Sequence, residues 1–234
     1  MISRWIDAIA LLGLWIFVSY LSGTGQTSLL INPHYHLIVS FASACLILAA
    51  GWLLLKSRSL QHMSSHTFSA VVIISTVIMG FQLPLQSLSS ETALSRGVET
   101  RVPSFDEIKF QEAMNTPSGE RTLIQWSRIL TQHPDPRIFI GQKVRLEGMV
   151  VKPEKSEENT LLLIRFVVGC CIADARPLGL LIDTSDADQW ENNEWIAVNG
   201  TISLKEYDGQ ARGVVHAQTV ELISKPKNPY EFEY

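Results

Sequence analysis

Three long apolar segments in the first ninety residues constrain this chain more than anything that follows. Trp5 to Leu21 is nearly all apolar, Leu37 to Leu55 carries no charge, and Phe68 to Leu83 extends through His66-Thr67 and Pro84-Leu85 without gaining one. A helix needs about 20 apolar residues to cross a bilayer. The expectation is a transmembrane domain over residues 1–88, with spans at about 5–21, 37–55 and 66–85 in contact with the lipid bilayer. A cleavable signal peptide is the rival for the first segment, but no clean small-x-small site follows it and two more spans come after.

Lysine and arginine set the expected orientation. Arg4 precedes the first span and Lys56 and Arg58 lie between the second and third, whereas residues 22–36 hold no lysine, arginine or acid. The positive-inside rule then places the N-terminus in the cytoplasm. Everything after the third span falls outside, which makes a multi-pass protein of the cell membrane with an extracytoplasmic C-terminal domain. Asp7 lies within a turn of the cytoplasmic end and reads as interfacial. His34 with His36, and His62 with His66, can each pair on a metal, but no acid or thiol stands beside them and interfacial histidines are the simpler reading.

The hydrophobic share of 46% over 234 residues is concentrated before residue 90. What remains has the composition of one soluble domain of about 130 to 140 residues, enough to bury a core. Ser87 to Pro103 is polar without a clear period and reads as a tether. Ser104 reads as the N-cap of a short helix through Ala113. Together they make a linker with a short helix over residues 89–120.

The domain proper is expected over residues 121–234. Leu123, Trp126, Ile129 and Leu130 recur at helical spacing, and His133-Pro134 stops that helix. From Gly141 the period falls to two. Strands are expected from Gly141, over Thr160 to Cys170, Leu178 to Thr184, Trp195 to Leu204 and Gly213 to Ile223, with a hairpin at Tyr207-Asp208-Gly209-Gln210. A short helical connection falls between the third and fourth. The fold class is therefore membrane α plus β: three transmembrane helices followed by an α+β domain with an OB-like five-stranded barrel.

The stretch Phe166 to Leu181, FVVGCCIADARPLGLL, is where chemistry on a ligand is expected. Successive strand residues point to opposite faces, so Cys170 and Cys171 reach one ligand only if the strand breaks there, and Gly169 permits a break. A disulfide between neighbours is disfavoured, because their Cα atoms sit about 3.8 Å apart and ordinary disulfides begin near 4.4 Å. Thiolates select soft ions, so Cys170, Cys171 and Asp174 are candidate ligands for a soft metal or metalloid. The alternative that both cysteines are small buried hydrophobes stays open. Arg176 is extended before its proline and can pair with Asp174, which would make the turn structural.

The Asn32-Pro33-His34-Tyr35 element before the second span, together with Cys170-Cys171-Ile172-Ala173-Asp174-Ala175-Arg176-Pro177, resembles the YcgQ-type bacterial membrane proteins. The resemblance implies the accessory subunit of a two-component permease, whose partner is a multi-span permease. It assigns no functional residues.

Three functions follow from these features. An OB-type barrel often binds single-stranded nucleic acid, but from Ser89 onward 16 Lys and Arg face 22 Asp and Glu, the wrong sign for phosphate. No nucleic acid partner is expected. A thiol-dependent enzyme would use Cys170 or Cys171 with His216 as base, yet no phosphate loop, zinc-protease helix or serine elbow is present, and an enzyme is not expected. A membrane-anchored permease subunit, whose outer domain binds a partner protein or small ligand, fits all the features together.

Overall fold

The computed structural model describes residues 2–55, 66–83, 85–100, 106–133, 135–152, 159–207 and 210–232. Two units form: Met1–Gln86 with Cys170–Ile172, and Ser87–Gly169 with Ala173–Glu233. Lys56, Arg58, His62, Ser104 and the hairpin residues Asp208 and Gly209 lie outside the described residues.

The first unit holds helices α1 (Ile2–Gly23), α2 (His36–Leu55) and α3 (His66–Gln82). At 1.5 Å per residue these run about 33, 30 and 26 Å. The first two are long and apolar enough to cross a membrane, while the apolar stretch in α3, Ser69–Gln82, is shorter. Helix α1 packs on both others, and the buried side chains are mostly small, Ala8, Ala10, Ala50 and Ala70, joined by Leu21 and Val77. A Cβ on Gly80 would stand 2.7 Å from the Phe17 ring. Helices that associate without a hydrophobic drive meet through such small residues. On α2 the large side chains point outward, with Leu37 83% and Leu55 85% exposed. That is unfavourable in water and suits hydrocarbon.

Between α1 and α2, the Asn32 side chain is buried. Its Oδ1 accepts the His34 N–H at 3.0 Å, and its carbonyl accepts the Tyr35 N–H at 2.9 Å. These bonds cap the 3-10 turn Pro33–Tyr35 that leads into α2.

The second unit begins with a departure from the sequence reading. The polar stretch expected to be a tether forms helix α4 (Ser90–Arg96), stopped by Gly97 at φ +79°. Beyond it Glu99 bridges to Leu178, with the Glu99 N–H donating to the Pro177 carbonyl. Short helices of this kind carry no apolar stripe, so periodicity does not reveal them. Helix α5 (Glu107–Asn115) is capped by Asp106, two residues after the expected Ser104. Helix α6 (Leu123–Gln132) starts with a capping box in which Thr122 and Gln125 satisfy each other's backbone.

The strands are β1 (Lys143–Val151), β2 (Thr160–Val168), β3 (Arg176–Asp183), β4 (Trp195–Tyr207), β5 (Gln210–Leu222) and β6 (Tyr230–Phe232). The first five close into a barrel in the cyclic order β1-β2-β3-β5-β4. All contacts are antiparallel except β3–β5, a parallel ladder of only two pairs, Ile182↔Val215 and Asp183↔His216. β6 lies parallel on the edge of β2 at Phe166↔Tyr230. Closure requires glycine at Gly200, where a Cβ would stand 2.2 Å from the His216 carbonyl oxygen and β4 shifts register. The core joins Leu123, Trp126 and Ile129 of α6 with Leu163, Leu180, Ile182, Ile196 and Val215 of the barrel. The expected helical stripe is thus core, and the five expected strands are the barrel.

Candidate functional site

β2 reads as a continuous apolar strand because both its faces are covered. It ends at Val168, two residues before the first cysteine, so the break that the sequence requires is present. The Gly169 N–H donates to Asp174 Oδ1 at 3.1 Å, the 3-10 turn Ile172–Asp174 follows, and β3 starts at Arg176, which is exposed. The two sulfurs now stand on one side of the chain, 3.6 Å apart. Cys170 is exposed and Cys171 partly so, which removes the reading of both as core hydrophobes.

Within the first unit the cysteine segment is held by backbone bonds. The Asn32 N–H donates to the Cys170 carbonyl at 3.0 Å, and the Ile172 N–H donates to the Leu30 carbonyl at 2.8 Å. Ile31 and Cys171 are the opposed pair of this antiparallel bridge. The two motifs that the sequence singled out, Asn32-Pro33-His34-Tyr35 and Cys170-Cys171, therefore meet through main chain.

Asp174 spends one carboxylate oxygen on closing the turn. Among the described residues no three His, Cys, Asp or Glu side chains are grouped to hold a metal ion. The expected donor set of Cys170, Cys171 and Asp174 is not assembled as one; the two thiols are.

His216 belongs to a different cluster. Its Nδ1 lies 3.0 Å from Asp183 Oδ2, Asp183 Oδ1 accepts from Lys205 Nζ at 2.7 Å, and the same ammonium donates to Thr160 Oγ1 at 3.0 Å. Burial pushes the Asp183 carboxyl up, but the hydrogen bonds from Lys205 and His216 outweigh it and hold its pKa below the usual carboxylate range. Asp183 and Arg176 occupy opposite ends of β3, about 23 Å apart along the strand, and the thiol-bearing connection starts beyond Arg176. The partner that the structure gives the imidazole is Asp183.

Sequence reasoning missed Asp183 and Lys205, because a parallel β3–β5 register leaves no local signal. It also missed Glu231, whose Oε2 accepts the Ile124 N–H at 3.1 Å at the start of α6. Burial pushes this carboxyl up, only partly offset by Arg165 and the helix N–H groups. It lines a pocket of about 330 Å³ with Arg145, Glu147 and Arg165, in the seam where β1 and β2 part.

An apolar helical unit suited to hydrocarbon and a closed five-stranded barrel carried on the same chain define a membrane-associated barrel protein. The chain belongs to the DUF1980 family: the DUF1980 N-terminal domain matches residues 6–99 and the DUF1980 C-terminal domain matches residues 109–233. It is similar to a Streptococcus mutans serotype c protein named "Putative two-component membrane permease complex subunit", 25% identical over 91% of this chain and 93% of that one. It is also similar to the "UPF0703 protein YcgQ" of Bacillus subtilis, 28% identical over 42% of this chain and 35% of that one. The resemblance stated from the sequence is thereby borne out.

Proposed function

We propose that this chain is the membrane-anchored accessory subunit of a permease, with three spans that present the barrel on the extracytoplasmic side. The observation that carries the reading is the Streptococcus mutans relative, which aligns over 91% of this chain and is named as a permease complex subunit. Two helices that expose large apolar side chains outward, Trp5, Ile9 and Ile16 on α1 and Leu37, Phe41 and Leu48 on α2, support the membrane anchor. Charge-free residues 22–36 against Arg4, Lys56 and Arg58 support the orientation. The strand order β1-β2-β3-β5-β4 with a parallel β3–β5 contact supports an OB-type barrel. In this subunit the barrel binds a partner protein or a small ligand, and the exposed thiol pair is its soft-ligand position. The acidic balance after Ser89 argues against nucleic acid, and the pairing of His216 with Asp183 argues against its use as the base of a thiol enzyme.

Purification of the tagged full chain from native membranes in mild detergent tests this. A multi-span permease at fixed stoichiometry is the expected result. A monodisperse protein that carries no integral membrane partner, in any detergent that keeps it folded, overturns the reading.

A further inference from the structure

We infer that Cys170 and Cys171 form a two-thiol chelate for a trivalent metalloid hydroxide, one that arrives with its own third ligand. The inference rests on the soft-ligand reading above and narrows it to one coordination chemistry.

The geometry does the selecting. With metal–sulfur bonds of about 2.3 Å, a linear two-coordinate soft cation needs its sulfurs about 4.6 Å apart. The observed separation is 3.6 Å, which corresponds at the same bond length to a bond angle of roughly 100°. That angle also suits a tetrahedral ion, but structural zinc takes four protein donors, and no group of three is assembled among the described residues. A pyramidal trivalent centre fits both facts, because it needs only two thiols at a near-right angle and fills its third position with hydroxide. The balanced step is As(OH)3 with two thiols giving a dithiolate hydroxide and two waters; no electron is transferred. Two As–O bonds break, two As–S bonds form, and each thiol proton leaves on a departing hydroxide.

The turn is prepared for this. Asn32 and Leu30 fix the backbone on either side of Cys171 through bonds of 3.0 and 2.8 Å, and Asp174 closes the loop on the Gly169 N–H. Holding both thiols in place before binding lowers the ordering cost of the chelate. Cys170 is exposed, so the pair is reachable.

The test uses the full chain in detergent with phenylarsine oxide and arsenite as probes, and silver(I) and zinc(II) in parallel, under excess 2-mercaptoethanol. Expected is a one-to-one arsenical adduct that survives the monothiol. Cys170→Ser and Cys171→Ser each lose at least about 100-fold in affinity, as the second attachment becomes bimolecular. Cys45→Ser and Asp174→Asn retain the adduct. An adduct that survives in either single-thiol turn variant, or is lost in Cys45→Ser or Asp174→Asn with the near-ultraviolet spectrum unchanged, overturns the chelate. Uptake of silver or zinc without the arsenicals overturns this inference alone. No uptake of any probe overturns the soft-ligand reading with it.

Discussion

Replacing Asp183 with asparagine probes the weakest point of the barrel. The β3–β5 ladder has only two residue pairs, and Asp183 reinforces it by tying Lys205 of β4 and His216 of β5 to β3, while Lys205 reaches Thr160 of β2. Asparagine keeps the shape and one acceptor but removes the charge. Hydrogen bonds to a charged group contribute about 1.5–3 kcal/mol each. Asp183 and Lys205 are 26% and 29% exposed, and His216 is mostly exposed, so solvent screening brings the sum for both bonds down to about 1.5–3 kcal/mol. For a unit of this size that is a fall in melting temperature of roughly 5–10 °C, followed by near-ultraviolet dichroism of the full chain in detergent. The pH dependence has a definite sign. A carboxyl whose pKa is depressed on folding stabilises fully above its unfolded value, near 3.9, and loses that contribution as pH falls through the lower folded value. The gap between wild type and Asp183→Asn is expected at pH 7 and to close in acid as pH falls from the unfolded value through the lower folded one. Equal melting temperatures at pH 7, or a gap unchanged in acid, would refute the reasoning.

Further substitutions test the scaffold. Gly200→Ala drives a Cβ into the His216 carbonyl at 2.2 Å and should cost about 2 kcal/mol or more by opening the bulge, read as faster proteolysis of the barrel. Arg121 donates to the carbonyls of Ala113, Met114 and Thr116 and stacks 4.7 Å over Trp126. Arg121→Met, which strands those carbonyls, should cost about 3 kcal/mol in denaturant unfolding; a loss within error of zero would mean that water replaces the guanidinium. Glu231→Gln removes a carboxylate at the start of α6 that burial disfavours in its ionised form, so the variant should be at least as stable as wild type at pH 7, with any advantage vanishing in acid where the wild-type carboxyl is protonated; a clear loss of stability at pH 7 would contradict the burial argument.

Much of this architecture is readable in the sequence, and the exceptions have physical reasons. The stripe Leu123, Trp126, Ile129 and Leu130 and the alternation from Val144 onward mark α6 and β1, because one face of each is buried. Gly169 correctly marks where β2 breaks, which brings the two sulfurs together. Helix α4 escapes because its seven residues are held by capping and by the Asn193 side chain on the Ser90 N–H rather than by an apolar face. The pairing of Asp183 with His216 escapes because it depends on a long-range register, and the meeting of Asn32 with Cys170 because main-chain bonds carry no side-chain signature. The third apolar segment reads as slightly short unless its charge-free flanks extend it, and its helix, ending at Gln82, is the shortest of the three.

The most direct measurement of the account is labelling of Cys170 and Cys171 in intact cells with a membrane-impermeant maleimide, in a Cys45→Ser full-length chain. An outward-facing barrel predicts labelling at the turn before lysis, abolished by Cys170→Ser with Cys171→Ser. Labelling that appears only after the membrane is opened would place the barrel in the cytoplasm and contradict the account.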